Sequence, residues 1–515
     1  WTGIDPSEMP HALVNNRNGT FTFKKLDKTT ATADGNDNYW KDRDVGDTES
    51  NPLPSFCDTS RTIQKLFFHR NRLGIISDEQ VVMSRPGDYF NFFSVSAITT
   101  SDDNPIDITV SDVKPAFINH VLPVQKGIMM FSDNAEFLLF TESDIFSPKT
   151  ARLKKVANYE CNASIQPMDL GTSIMFSSNV SAYARVYEAT ILDDDIPPKI
   201  LEQTRVAPEY VPANISKAVN STALGIVTFG TTNSKKLYHY KYFDSGDRRD
   251  QSAWYSWTLS ADLIHMVYTG GSFYTVTKGS NSSTNLVLSK HEYITDVTNS
   301  PSYTLNEIYS TATQTSRSFD IHLDCLLDPS NPTRIDQTAT TPEKTVFDLP
   351  FKPFSGSGVP KLFAVNDDGM VWEADSVDAS NDTVTFNTYV DSDVALGYQY
   401  ISTIELPTYH LATEANKFDL NGSLRISGMN FELGASGPME FHLTAKNTWT
   451  EHISTTTNNN LTTTIVATHD EFDPYVQYES GTIAGLSRLN KVPAELNKSV
   501  RVPIQKKNDK YKLEI

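Results

Sequence analysis

Clusters of aspartate are the first candidates for chemistry in this chain. Neighbouring carboxylates occur at 102–103, 193–195 and 367–368. Such loops bind Ca²⁺ where backbone carbonyls help to complete roughly six to eight oxygen ligands. None of the three clusters follows the spacing of a calcium loop, and aspartate is favoured in turns because its side chain bonds the local backbone. We therefore expect solvated turns and no bound metal.

The remaining polar residues form no known catalytic motif. The chain has no His-Glu-x-x-His pair, no Gly-x-Ser-x-Gly elbow and no Gly-rich loop followed by Lys-Ser/Thr. Glycoside hydrolysis needs two carboxylates roughly 5 to 9.5 Å apart, which sequence spacing does not fix in a chain with 63 acidic residues. We expect no catalytic residue and no cofactor.

The most unusual local segment places arginines among aromatic residues, at 67–74 and 84–93. Arginine beside aromatics can stack on nucleic-acid bases. Its planar fork also bridges backbone carbonyls and carboxylates. Because the chain is acidic, we favour a structural role, in which these arginines fix one sheet against the next with Asp88 as a carboxylate partner. The arginines concerned are Arg70, Arg72 and Arg85.

Net charge argues against a nucleic-acid-binding protein. The 515 residues include 44 Lys and Arg against 63 Asp and Glu, which gives a formal charge of −19. A phosphate-binding surface needs the opposite sign. We therefore expect any contact with DNA to be weak or transient.

Cysteine usage and hydropathy argue against a disulfide-rich, zinc-binding or membrane-spanning protein. Cys57, Cys161 and Cys325 are far apart and odd in number, which favours buried free thiols over a disulfide framework or a zinc site. No apolar run approaches the roughly 18 residues that span a bilayer. The chain starts at Trp1 instead of Met and ends on the strand-like segment 511–515, the pattern expected of a fragment.

Short β runs that alternate with polar turns dominate the chain from about residue 60. Aromatics make up 11% of the residues, which favours half-buried strands. First strands recur roughly every 40 to 55 residues, close to the spacing of four-stranded propeller blades. Each hairpin is predicted from two strand runs around a turn: 72–77 with 81–84, 127–131 with 136–140, 173–177 with 183–187, 224–229 with 237–243, and 264–268 with 273–277.

The predicted fold is therefore mainly β, a β-propeller of four-stranded antiparallel blades with additional β-rich modules. An irregular β array without closure is the alternative, although its long open edges would aggregate. A sandwich fits less well because it would close within about 100 residues. We find no sustained helical periodicity and expect few helices.

The second half of the chain is less regular. Residues 296–345 are rich in Thr, Ser and Pro and are predicted to be a linker with one strand at 319–323. A hairpin follows at 362–365 and 371–373, around Asp367-Asp-Gly369. That turn matches the Asp-x-Gly-x-x-Trp centre of the Asp-box turns of sialidase-type propellers, but Val365 replaces the usual Ser/Thr. Alternating runs at 424–427, 429–433 and 439–444 predict a further antiparallel module.

The arginine-rich segment also carries a family resemblance. The runs Pro54–Phe56, Phe68–Gly74, Val82–Arg85, Gly87–Phe92 and Asp103–Asp107 resemble, in order, the tail tubular protein B or tail nozzle family of podoviruses. Phe131–Phe137 and the Gln251–Trp257 strand extend the similarity, which is specific over about residues 50 to 190 and weak beyond 260. The residues of the predicted structural motif are Arg70, Asn71, Arg72, Leu73, Gly74, Ser84, Arg85, Gly87, Asp88, Phe90, Trp254 and Trp257.

The resemblance implies a non-enzymatic virion protein and a division into four parts. Residues 1–50 would be a partial platform-like segment, 51–345 the propeller body, 346–410 a further blade or insert, and 411–515 a β-rich nozzle and dock module. It implies a homohexameric ring below the portal, with the tail adaptor protein and tail fibres as partners and genomic DNA only in transit. The location would be the virion tail, after assembly in the host bacterial cytoplasm.

Two other functions stay open from the residues alone. One is a carbohydrate-active propeller hydrolase, which predicts clustered acids with shifted pKa values in a concave pocket. The other is a receptor-binding module that recognises glycans through exposed aromatic platforms. The nozzle interpretation instead predicts lateral surfaces that are buried only in a closed ring.

Overall fold

The computed structural model divides into two compact units, Trp1–Tyr293 and Ile294–Ile515. In the first unit it describes residues 3–124, 127–190, 198–245, 248–278 and 286–293. In the second it describes side chains within 323–327, 344–354, 359–366, 370–390, 393–400 and 402–404. The other described parts of that unit are backbone strands between 304 and 514.

The first unit begins with a two-stranded antiparallel ribbon, β1 (Ala12–Asn15) and β2 (Phe21–Lys24). The short helix α1 (Lys28–Ala33) follows, and the Asp27 side chain caps it by accepting from the Thr30 amide. A 3-10 turn, Ser55–Cys57, leads to the first sheet. The core of this region joins the ribbon base to that sheet through Met9, Leu26, Trp40, Phe56, Ile75 and Val82.

Five antiparallel sheets follow one another along the chain, and within each the strands pair in chain order. A second 3-10 turn, Gln203–Val206, follows the third sheet. The first sheet contains β3 (Lys65–His69), β4 (Arg72–Ser77), β5 (Gln80–Met83) and β6 (Ile106–Thr109). The second contains β7 (Ile118–Val124), β8 (Gly127–Ser132), β9 (Glu136–Thr141) and β10 (Ala151–Ala157). The third contains β11 (Met168–Asp169), β12 (Ile174–Val180), β13 (Tyr183–Thr190) and β14 (Lys199–Glu202). The fourth contains β15 (Lys217–Ser221), β16 (Ile226–Gly230), β17 (Lys236–Ser245) and β18 (Arg248–Thr258), and the fifth β19 (Leu263–Thr269), β20 (Ser272–Lys278) and β21 (Leu286–His291).

One apolar layer lies between each sheet and the next, because alternate residues of every strand point to opposite faces. Ile76 and Met130 meet between the first and second sheets. Phe131, the next residue along β8, instead packs on Phe176 of the third sheet. Further layers join the third sheet to the fourth and the fourth to the fifth. The sheets therefore stack face to face in chain order.

The second unit contains two four-stranded sheets whose strands interleave along the chain. Both contribute to one core that includes Phe347, Leu362, Val384 and Leu396. One sheet has the order β24-β31-β27-β28 and the other β25-β26-β30-β29. The strands are β24 (Asp324–Leu327), β25 (Asp336–Thr340), β26 (Glu343–Asp348), β27 (Leu362–Asn366), β28 (Val371–Glu373), β29 (Ser376–Asp378), β30 (Thr383–Phe386) and β31 (Val394–Tyr398).

The remaining strands of this unit are described by their backbone pairing. A four-stranded sheet has the order β32-β39-β36-β37, and three strand pairs are β22 with β23, β33 with β34 and β35 with β38. The strands are β22 (Thr304–Leu305), β23 (Phe319–Asp320), β32 (Thr403–Leu406), β33 (Leu411–Glu414), β34 (Lys417–Asp419), β35 (Gly428–Leu433), β36 (Met439–Thr444), β37 (Thr462–Ala467), β38 (Lys498–Pro503) and β39 (Lys510–Glu514).

The structure confirms a mainly β protein built from antiparallel four-stranded sheets, and the closure of a propeller stays a prediction. All five predicted hairpins of the first unit form, as do the strands predicted at 429–433 and 439–444. The linker predicted at 296–345 is wrong in part, because β22 to β25 and the start of β26 lie within it. The segments 367–369 and 424–427 lie outside the described residues.

Candidate functional site

Arg72 is the centre of the arginine-rich segment, and it is buried with 1% of its surface exposed. Its guanidinium donates to the carbonyls of Ser84 at 2.7 Å, Asn104 at 2.8 Å and Asp102 at 2.9 Å, with Phe146 at 3.4 Å. Phe146 lies between β9 and β10 of the second sheet. One side chain therefore ties β4 to a loop of its own sheet and to the neighbouring sheet.

Arg70 and Asn71 form the two-residue turn between β3 and β4, with φ of 43° and 61°. A type I′ hairpin turn requires positive φ at both positions, and asparagine tolerates it well. The Asn71 carbonyl accepts from the Gly87 amide at 2.8 Å, and its side-chain oxygen accepts from the Tyr89 hydroxyl at 2.7 Å. The turn is thereby joined to the loop that follows β5.

That loop is held by short polar contacts. The Ser84 hydroxyl accepts from the Leu73 amide at 3.0 Å, and the Ser84 amide donates to the Leu73 carbonyl at 2.8 Å. The carboxylate beside Arg85 belongs to Asp103, 3.9 Å away, whereas Asp88 accepts from the Asn91 amide group at 2.9 Å. Asp88 is therefore a turn residue and not the ion-pair partner that the sequence predicted.

Two further motif residues, Gly74 and Phe90, lie in tightly packed positions. A Cβ at Gly74 would lie 2.1 Å from the Phe67 ring, so the ring covers a position that only glycine leaves open. Phe90 meets Trp40 edge to face at 5.3 Å, and its carbonyl accepts from the Lys41 amide at 3.0 Å. The segment therefore joins the first sheet to the N-terminal region.

The two tryptophans of the motif lie on opposite faces of β18, because they are three residues apart in a strand. Trp254 packs on Tyr240 at 4.9 Å and donates to the Gln203 carbonyl at 3.0 Å. Trp257 packs on Phe273 of the fifth sheet at 6.2 Å. One strand thus places an aromatic ring in each of two neighbouring sheet interfaces.

A half-buried ion pair between the third and fourth sheets was not predicted from the sequence. The Arg249 guanidinium donates to both Glu188 oxygens, one of them at 2.9 Å, and to Asp244 at 2.7 Å. Gln203 also donates to Glu188 at 2.7 Å. Desolvation alone would lower the pKa of Arg249, but its hydrogen bonds to Asp244 and Glu188 hold that pKa above its usual value. Glu188 and Arg249 are 61 residues apart, so no local sequence pattern indicates that they pair.

Glu136 is a second charged residue that the sequence did not single out. It begins β9 with no exposed surface. One oxygen accepts from the Tyr159 amide at 3.1 Å, and the other has no hydrogen-bond partner among the described residues. Burial raises the pKa of Glu136 to about 7. Because the side chain has no exposed surface, its packing accounts for the shifted pKa.

Burial also shifts the pKa of His239, but downwards, because the charged form of histidine is the protonated one. It is fully buried, its Nδ1 lies 2.8 Å from the Thr228 hydroxyl, and its ring stacks on Tyr255 at 4.7 Å. Burial lowers the pKa of His239 to about 3, so the ring is neutral at physiological pH. It serves as a core aromatic residue.

The structure describes the three cysteines and the aspartate cluster at 102–103. Cys161 is buried as predicted, Cys57 is half-buried, and Cys325 is exposed, which corrects the prediction for that residue. Asp103 accepts from the Ser101 hydroxyl, and this bond lowers the pKa of Asp103, as expected for a turn residue. Within the described residues, no three His, Cys, Asp or Glu side chains are grouped to hold a metal.

Among the described residues, no helix has the length and apolar character needed to cross a membrane.

One relative is the tail tubular protein gp12 of Escherichia phage T7. It is 29% identical over 259 residues, which cover 50% of this chain and 30% of that protein. The chain thus matches less than a third of the length of this curated relative.

Several solved structures share a weak likeness. Hsv2 of Kluyveromyces lactis has a TM-score of 0.29 and 10% identity, over 65% of this chain and 84% of that chain. Sqt1 of Saccharomyces cerevisiae has a TM-score of 0.23 and 9% identity, over 50% of this chain and 83% of that chain. TM-scores of this size support no conclusion about fold or function.

A family model described as bacteriophage nozzle protein matches residues 1–477, which is nearly the whole chain. The chain therefore belongs to the bacteriophage nozzle protein family.

Proposed function

We propose that the chain is a structural subunit of a phage tail nozzle, which forms the conduit for DNA ejection into the host. The observation that carries this proposal is the family match over residues 1–477. The buried polar groups of the described residues agree with it, because they join sheets to one another. Arg72 bonds main-chain carbonyls, and the half-buried Arg249 pairs with the buried Glu188. The role is structural and not enzymatic.

We infer that the successive sheets of the first unit are blades of a propeller. Three observations support blade-like packing of successive sheets. Strands within each sheet pair in chain order, one apolar layer separates neighbouring sheets, and first strands approach one another. Cα atoms lie within 8 Å for β3 with β7, β11 with β15, and β15 with β19. Adjacent inner strands are what blades around a common axis require.

We propose a domain division that keeps the predicted one in part. We propose 1–50 as a partial platform-like segment and a propeller body that begins at 51. A body ending at 345 would cut through β26, and the two sheets at 324–398 share one core with interleaved strands. Of the two alternatives for 346–410, this topology favours an insert over a blade. Because β32 pairs with β39, the C-terminal module would include residues from 403 onward.

The proposed partners are copies of the same chain in a homohexameric ring, the tail adaptor protein and the tail fibres. DNA would pass through without specific binding, since a net charge of −19 disfavours phosphate contacts. If acidic side chains line the bore, repulsion lowers non-specific adhesion of the genome. A mapped bore rich in Lys and Arg would reject that placement. The location would be the virion tail, after assembly in the host cytoplasm.

A phage carrying a stop codon early in this coding sequence tests the proposal. In a host that does not suppress the codon, we expect DNA-filled heads with incomplete tails that eject no genome. Supplying the intact chain in trans should restore ejection. Complete and infectious particles made without the chain would contradict the proposal.

A further inference from the structure

The β1–β2 ribbon carries an apolar face that is largely exposed among the described residues, with the His11 ring stacked on Phe23 at 5.4 Å. In its register Leu13 lies opposite Phe23 and Asn15 opposite Phe21, so the four side chains share one face. Exposed fractions are 65% for Leu13, 62% for Phe21 and 70% for Phe23. Isolated two-stranded ribbons are marginally stable in water, and exposed apolar patches commonly mark interaction sites.

The base of this ribbon is fixed to the first unit. Met9 before β1 and Leu26 after β2 are both 6% exposed, and they pack in the core that contains Ile75 and Val82 of the first sheet. The distal part, with the turn around Arg17, stands in solvent. The ribbon therefore has the form of an anchored arm.

The charge of the arm is opposite to that of the chain. Residues 11–25 contain three basic residues and no acidic one, whereas the whole chain carries −19. Lys24 and Lys25 lie beside Asp34 and Asp27 of the same chain. Arg17, at the tip, has no ion-pair partner among the described residues. The tip therefore suits an acidic surface.

A surface of complementary character lies on the same unit. The loops 44–51 and 94–104 are joined by Asn51, whose side chain bonds Val45 at 2.9 Å and Ser94 at 3.1 Å. They expose three apolar side chains: Val45 at 41%, Val95 at 41% and Ile98 at 94%. Both loops together contain five acidic residues and no basic one. We call this surface the acidic patch.

We propose that the β1–β2 arm of one subunit docks on the acidic patch of a neighbouring copy of this chain. An arm and a patch at different places make a head-to-tail contact, which closes into a ring when the rotation allows. The inference rests on the proposed nozzle assembly and identifies one contact that would build it. Apolar side chains of the arm cover Val45, Val95 and Ile98, while Arg17 meets the acidic rim.

Variants of the full chain test this contact by analytical ultracentrifugation. Phe21→Ser combined with Phe23→Ser removes the arm face, and Ile98→Glu adds charge to the patch. Val113→Glu is the matched control, since Val113 is a fully exposed valine outside both surfaces. Each test variant should raise the dissociation constant of assembly at least about tenfold, and the control should assemble like the unmodified chain. Circular dichroism checks that all variants fold.

Mixing the two test variants gives a sharper result. Each alone should be monomeric, but the patch of the arm variant and the arm of the patch variant are both intact. An equimolar mixture should therefore form heterodimers and no larger ring.

Wild-type assembly unaffected by either variant would overturn the docking proposal and leave the nozzle function standing, with the arm free for another partner. A chain that stays monomeric at every concentration would instead count against the nozzle assembly itself.

Discussion

Arg72 brings a positive charge into the interior of the first unit, where main-chain carbonyls surround it. Burial lowers the pKa of Arg72, but a guanidinium stays charged in proteins. The carbonyl oxygens it bonds belong to residues far apart in the sequence. Removal of the guanidinium would leave these buried acceptors without a partner, which costs more than the bonds themselves contribute.

Replacing Arg72 should therefore be strongly destabilising. We expect Arg72→Met to lower the free energy of unfolding by about 3 kcal/mol in urea titrations. Arg70→Met is the control, because Arg70 is exposed and reaches a carbonyl only at 3.5 Å. Equal effects of the two variants would show that the buried network is not what stabilises this region.

The raised pKa of Glu136 predicts that the stability of the fold depends on pH. Its pKa is about 7 in the folded protein against a usual 4.5, so the folded state holds its proton more tightly than the unfolded chain. Stability from this residue is therefore fully present below about pH 4.5 and is lost as the pH rises to about 7. The groups near its carboxylate are Lys155, Tyr159 and Cys161.

Glu136→Gln should remove this dependence. At pH 8 the variant should be more stable than the parent by on the order of 2 kcal/mol, and the difference should shrink towards pH 5. Urea unfolding at both pH values measures it. A difference that is the same at pH 5 and pH 8 would contradict the buried, uncompensated carboxylate.

Single residues were predictable only where the signal is local. The aromatic and arginine run marked a segment that makes many contacts, but its acceptors are backbone groups that the sequence does not reveal. Asp88 was assigned an ion pair that Asp103 makes. Burial of Glu136 depends on packing against Tyr159 and could not be inferred from a strand that starts with a charged residue.

At the scale of elements, one strand serves two interfaces. β18 supplies Trp254 and Arg249 to the layer shared with the third sheet, and Trp257 to the layer shared with the fifth. Within the described residues of the first unit, no strand of one sheet pairs with a strand of the next, and side chains supply much of the coupling. The relative position of the sheets depends on a few large or charged groups.

A double-mutant cycle on Glu188 and Arg249 measures this coupling. Glu188→Gln leaves Arg249 with Asp244 as its carboxylate partner, and Arg249→Met removes the cation bonded to Glu188, so each should cost about 1 to 3 kcal/mol. The double variant should lose less than the sum of the two. Additive losses in thermal or urea unfolding would show that the pair does not couple the sheets.

Hairpins were the most predictable elements, because two apolar runs around Asn, Asp, Gly or Ser specify a turn locally. The β1–β2 ribbon had such a signal in Asn18-Gly19 and was missed. The strands at 324–348 were hidden in a Thr- and Pro-rich stretch predicted to be a linker. The pairing of β24 with β31 and of β26 with β30 is long-range, and composition does not encode such contacts.

At the scale of the whole molecule, charge predicts how the protein meets DNA. With a net charge of −19, few phosphates can be neutralised and few counterions released. We expect no saturable binding of duplex DNA in fluorescence anisotropy at about 0.15 M salt. Tight binding that weakens steeply with added salt would show a basic surface and contradict a passive conduit.

The native assembly is the most direct test of the nozzle account. Mass measurement of the full chain in solution, combined with two-dimensional image averages, reports subunit number and rotational symmetry together. The account predicts a closed ring of six subunits around an open centre. Particles that are strictly monomeric, both after full-length expression and when released from virions, would contradict it.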